Sequence, residues 1–171
     1  MLTSQGYCDW WKLYDLGGLQ EGQTPPDGLV QTAREAQIVY ASTLRRAQET
    51  AQAVTQGRAF KTDAIFVEAP LPPPHTPDWF KLPPRLWGVV ARLWWHLFNH
   101  HDGQETRLEA EQRAGRAAEI LIGEADQGRD VLLLAHGYFN HMIGQALKAK
   151  GWSLTLDQGF KYWSQRRFEK H

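Results

Sequence analysis

The run Asp130-Val-Leu-Leu-Leu-Ala-His136-Gly137 constrains this chain more than any other segment. Four consecutive aliphatic residues without polar alternation suit a strand covered on both faces of a parallel sheet, not a half-solvated antiparallel one. The His-Gly pair then breaks the strand, and a helix is predicted over 139–150 with Gly151 as its stop. Parallel strands require crossover connections, so the rest of the sequence has to supply helices between strands.

It does so in order. Residues 37–42 read as a buried strand feeding directly into a helix over 43–56, with Leu44, Ala47, Ala51 and Val54 on one face. Residues 62–67 are a second strand candidate, closed by Glu68 and a proline-rich run to Pro84 that cannot sustain a hydrogen-bonded ladder. Helices are predicted over 29–35, 86–99 and 105–126, and a late strand over 161–168. A first helix starts at Thr3 or Ser4 and ends at Gly17-Gly18, expected to supply a left-handed stop. This order predicts one α/β domain over residues 1–171, a three-layer α/β/α sandwich with a mostly parallel sheet.

Composition narrows the partners. Lys plus Arg number 19 and Asp plus Glu number 19, a formal charge of zero. Binding driven by bulk positive charge is therefore excluded, so neither nucleic acid nor an anionic membrane is expected as a partner. The longest apolar stretch, 86–98, is broken by Arg92 and His96, which argues against a membrane span. The single cysteine, Cys8, cannot form an intramolecular disulfide and fits a reducing, cytoplasmic setting. Its thiol is expected to be inert.

Ligands of open α/β sheets bind outside the carboxyl ends of the strands, where helix N-termini present N–H groups. Three apt groups fall there: Arg45 or Arg46 in the first turn after the first strand, Glu68 after the second, and His136 after the apolar one. A cation at a positive dipole end favours an anion as third party. His96, His100, His101 and Asp102 invite a metal, but their spacing fixes no complete ligand set, so neither metal nor cofactor is expected. Trp87, Trp94 and Trp95 read as core, with an interfacial helix or a homodimer contact as the alternative. Glu105 is either a helix cap or an alternative acid.

Ser42-x-Leu-x-Arg46-Ala-x-x-Thr50, then Glu68, then a hydrophobic strand closing on His136-Gly137, resembles the histidine phosphatase superfamily, the phosphoglycerate mutase-like fold. The resemblance implies phosphomonoester hydrolysis or phosphoryl transfer through a phosphohistidine, on a small phosphorylated substrate. It makes Arg46 a phosphate-binding arginine, His136 the second histidine of the site, which protonated in an anionic pocket would add positive charge, and Glu68 the general acid. It also implies a nucleophilic histidine in an Arg-His-Gly motif on a first strand beside the one ending at His136, and no Arg-His-Gly occurs in this sequence. The expectation is therefore a chain that starts late and lacks that strand. The alternative is a non-catalytic module that binds phosphate ligands or proteins. Either way, no turnover is expected of the chain as given.

Overall fold

A computed structural model describes residues 1–170. The chain divides into two compact units, Gly18–Glu68 with Glu111–His171, and Met1–Gly17 with Ala69–Ala110.

The first of these is organised around β1 (Ile38–Ser42), which pairs in parallel with β2 (Lys61–Asp63) on one side and β3 (Val131–Leu134) on the other. Alternation along β1 decides what each face meets. Val39 and Ala41 join a cluster with Leu29 and Ala33 of α2 (Asp27–Glu35), Ala51 and Val54 of α3 (Arg45–Thr55), and Leu134. Tyr40 points the other way, its ring 5.5 Å from Phe66 and its hydroxyl donating to Glu124 Oε1 at 2.8 Å. Glu124 belongs to α5 (Arg107–Ala125), so helices cover both faces of the parallel sheet.

Two expected strands come out differently. β2 stops at Asp63, whose Oδ1 accepts from Ile65 N–H at 2.8 Å and opens a 3-10 turn, Ala64–Phe66, that buries Phe66 in place of a longer ladder. β3 forms where the apolar run predicts, yet only Leu134 is buried and Val131, Leu132 and Leu133 are half-buried. The cause is position, because β1 is its one sheet neighbour among the described residues. Asp130 C=O accepts from Ile38 N–H at 3.2 Å, so alternation turns the N–H and C=O of Val131 and Leu133 to the open edge.

After β3 comes α6 (Gly137–Ala149), then an antiparallel hairpin of β4 (Ser153–Asp157) and β5 (Arg166–Glu169). Only the second of these strands overlaps the predicted one, since β4 has mostly exposed residues and no clean alternation. Gly144 lets β5 approach α6: a Cβ there would lie 2.7 Å from the Phe168 ring.

In the other unit, α1 (Ser4–Leu16) is capped by Thr3, whose hydroxyl accepts from Gly6 N–H at 3.0 Å. Its end departs from expectation: Gly17 sits at φ −70°, extended and not left-handed. Tyr7 packs with Trp87 and Ala91 of α4 (Pro84–Phe98), and Trp87 Nε1 donates to Leu2 C=O at 2.7 Å. Trp87 and Trp95 are fully buried, whereas Trp94 is 40% exposed. The start of α5 is fixed by a Thr106–Glu109 capping box in place of a Glu105 cap, with Thr106 N–H donating to Glu109 Oε2 at 2.8 Å and Glu109 N–H to Thr106 Oγ1 at 3.2 Å. Burial, and after it the charge of Asp102, push the Cys8 thiol above its ordinary range, which fits an unreactive side chain. No described helix is long and apolar enough to cross a membrane.

Because Gly144 and Phe168 are so close, Gly144→Ala is expected to destabilise the protein by about 1–3 kcal/mol through overpacking. A urea titration of Gly144→Ala beside Gly144→Ala/Phe168→Leu checks this. The smaller partner should recover part of the loss.

Candidate functional site

The carboxyl ends of β1 and β3 are tied together by their last polar side chains. Ser42 Oγ lies 2.8 Å from His136 Nε2, and the same oxygen accepts from Leu44 N–H at 3.2 Å. Ser42 is fully buried and His136 is 6% exposed. Sequence explains the placement, because Ser42 ends a buried strand just ahead of α3, and His136 stands at the N-cap of α6.

Of the paired arginines, Arg45 turns to the surface, where its Nε donates to Glu49 Oε1 at 2.6 Å. Glu49 is held on its other oxygen by Leu19 N–H at 2.7 Å. Arg46 is half-buried one position on, its carbonyl accepting from Thr50 Oγ1 at 2.7 Å, and its charge acts on His136. Glu68 Oε1 accepts from Phe139 N–H at 2.9 Å, in the first turn of α6. An anion is favoured there by the exposed N–H groups and the helix dipole. Arg46, Glu68 and His136 thus gather around one pair of strand ends.

The cluster has a member that sequence reasoning missed. Arg113, from α5, donates through Nη1 to the carbonyls of Ile65 and Val67, both at 2.8 Å, and its guanidinium sits 3.8 Å over the Phe139 ring. It thereby fixes the backbone that delivers Glu68. Nothing in the surrounding helix pattern, which also carries Arg107 and Arg116, singles it out.

Burial, then the charges of Arg46 and Arg113, hold the His136 imidazole far below its ordinary range, at about 3. By themselves the two guanidiniums disfavour the imidazolium, whereas the protonated form expected from the sequence is that of a pocket holding an anion. Arriving negative charge would offset the two guanidiniums and favour the imidazolium. Among the described residues no group of three or more His, Cys, Asp or Glu is placed to hold a metal ion. His100 Nε2 bonds Pro73 C=O, His101 Nδ1 bonds Gln104 C=O, and Asp102 pairs with His75. A shallow recess of about 600 Å³ between α2 and α3, lined by Asp27, Gln31, Arg34 and Gln56 among others, shares no residue with the cluster.

Arginines, a buried histidine and a helix N-terminus at the ends of parallel strands are groups whose chemistry suits an anion. The chain belongs to the histidine phosphatase superfamily, branch 1, whose family model matches residues 28–162. Its fold is phosphoglycerate mutase-like. Among solved structures it is similar to a mycobacterial glucosyl-3-phosphoglycerate phosphatase, at 24% identity and a TM-score of 0.47, with 71% of this chain and 64% of that one covered. It is also similar to a protein described as mycobacterial hydrolase 1, at 20% identity, 93% and 91% coverage and a TM-score of 0.49. A Mycobacterium tuberculosis open-reading-frame product gives 17% identity, 93% and 89% coverage and a TM-score of 0.47. No curated protein sequence matches.

The neutral histidine has a pH signature. An unfolded chain binds a proton at this residue near pH 6.5, while the native state refuses it until about pH 3. The contribution is fully present above pH 6.5 and is lost as pH falls, at about 1.4 kcal/mol per pH unit well below the unfolded value. Urea titrations between pH 7 and pH 4.5 should show wild type losing stability faster than His136→Gln. Parallel losses would place the histidine in a solvated setting.

Proposed function

We propose that Arg46, His136 and the N-terminal turn of α6 form a phosphoryl site that binds inorganic phosphate or a small phosphomonoester without turning it over. The observation that carries this reading is the buried, neutral His136 under the charge of Arg46 and Arg113 at the end of a parallel strand. A guanidinium fork suits phosphate oxygens bidentately. Once a phosphate approaches, His136 gains a reason to protonate and adds a third positive charge, so binding and proton uptake are coupled.

The reaction typical of the superfamily needs a second histidine as nucleophile. In the unit that holds the site, the other described histidine is His141, packed against Tyr138 and Phe160. For residues 1–171, which hold no Arg-His-Gly motif, this supports binding without hydrolysis. Glu68, the general acid of the resemblance, then serves as a fixed anionic cap on α6, held in place by its Phe139 N–H bond.

Thermal denaturation in inorganic phosphate tests the reading. At about a hundredfold excess over Kd, wild type should gain roughly 5 to 10 °C in Tm, and Arg46→Ala should gain nothing. An aryl phosphate should not be hydrolysed. Absence of a phosphate shift in wild type, or hydrolysis abolished by His136→Ala, would overturn it.

A further inference from the structure

Phe160, in the loop between β4 and β5, stands at the N-terminal end of α6. Its side chain is 64% exposed, and a Cβ added to Gly137 would lie 3.8 Å from its Cδ1. Cα–Cβ bonds of a helix tilt toward the helix N-terminus, so this ring borders the first turn, where N–H groups face an arriving anion. The loop that carries it is tied at several points. Gly159 N–H donates to Asp157 Oδ1 at 2.8 Å, Ser164 Oγ to Gly159 C=O at 2.9 Å, and Gln165 N–H to Gln158 Oε1 at 3.0 Å. Thr32 Oγ1 of α2 donates to Gln165 Oε1 at 2.9 Å and anchors the loop to the rest of its unit. Arg166, whose Nε is 2.9 Å from Asp157 Oδ1, lies 4.1 Å over the Phe160 ring. A ring ordered before a ligand arrives loses less freedom when the ligand binds.

We propose, resting on the phosphoryl site described above, that Phe160 is the surface on which the organic group of a bound phosphomonoester stacks, so that the site selects aryl phosphates. Direction is the first argument. Glu68 and Arg113 both engage Phe139, two residues and about 200° round the helix from Gly137. The substituent on an ester oxygen is thus kept from that side and turned toward Gly137, which has no side chain to block it.

Chemistry is the second argument. His141, one turn on along the face of Gly137, continues the surface with its ring 5.8 Å from Phe160. Burial, then the charges of Arg166 and Lys148, hold the His141 imidazole below its ordinary range, so at neutral pH it presents an uncharged ring. Two such rings suit a third in an offset or edge-to-face arrangement. A polyol would instead press hydroxyls against the carbon of Phe160, where no hydrogen-bond partner replaces the water they lose.

Isothermal titration calorimetry of the full chain with inorganic phosphate, methyl phosphate, phenyl phosphate and glycerol phosphate tests the proposal. Wild type should bind phenyl phosphate roughly three- to tenfold more tightly than methyl phosphate, and glycerol phosphate no more tightly than methyl phosphate. Phe160→Ala should remove the preference for phenyl phosphate, and Phe160→Trp should keep it. Should Phe160→Ala misfold, Phe160→Leu keeps bulk beside Arg166 without a ring face and should lower the preference in the same direction. Where inorganic phosphate binds, equal affinities for phenyl and methyl phosphate, a preference that survives the loss of the Phe160 ring, or tighter binding of glycerol phosphate would each overturn the stacking surface alone. Failure of inorganic phosphate to bind would overturn the phosphoryl site and this inference with it.

Discussion

The contact between Ser42 Oγ and His136 Nε2 joins side chains 94 residues apart in the chain. It closes the carboxyl ends of β1 and β3 onto each other and removes both residues from water. A buried hydroxyl and imidazole without partners would each cost desolvation free energy, so the bond is a condition for the two strands ending where they do. From it follow the entry of α3 through Leu44, whose N–H meets the same oxygen, and the start of α6 at His136.

Electrostatics follows from that burial. A neutral imidazole beside two guanidinium charges does not bind a proton at physiological pH, and in the proposed phosphoryl site it would take one up together with an anion. Glu68 and Arg113 serve the same end by geometry. Arg113 grips the Ile65 and Val67 carbonyls and lies over the Phe139 ring, and Glu68, next in the chain, reaches the N–H of Phe139. A site of this design depends on three separated segments holding one another still. It places no demand on bulk charge, which is why a chain with zero net charge can carry it.

The parts legible in the sequence are those set by apolar patterning. Buried runs ending in Ser42 and His136 announced both strand ends, and the motif around Arg46 announced the helix between. Local chemistry decided other points against the pattern: Asp63 cut the second strand short with a 3-10 turn, and Gly17 ended α1 in extended backbone. Arg113 was not legible, because its role comes from tertiary contact with carbonyls 46 and 48 residues away. β4 was not legible because a largely exposed strand carries little apolar periodicity. Of the tryptophans expected in the core, Trp87 and Trp95 lie there and Trp94 is on the surface.

In the phosphoryl site we propose, His136 is a buried neutral base that becomes protonated with a bound phosphate. Nitrogen-15 chemical shifts of its imidazole, followed from pH 8 to pH 4 with and without saturating inorganic phosphate, test this directly. Without phosphate the ring should stay neutral down to pH 4, and in its presence it should titrate at a clearly higher pH. A ring that titrates near pH 6.5 in both conditions would contradict it.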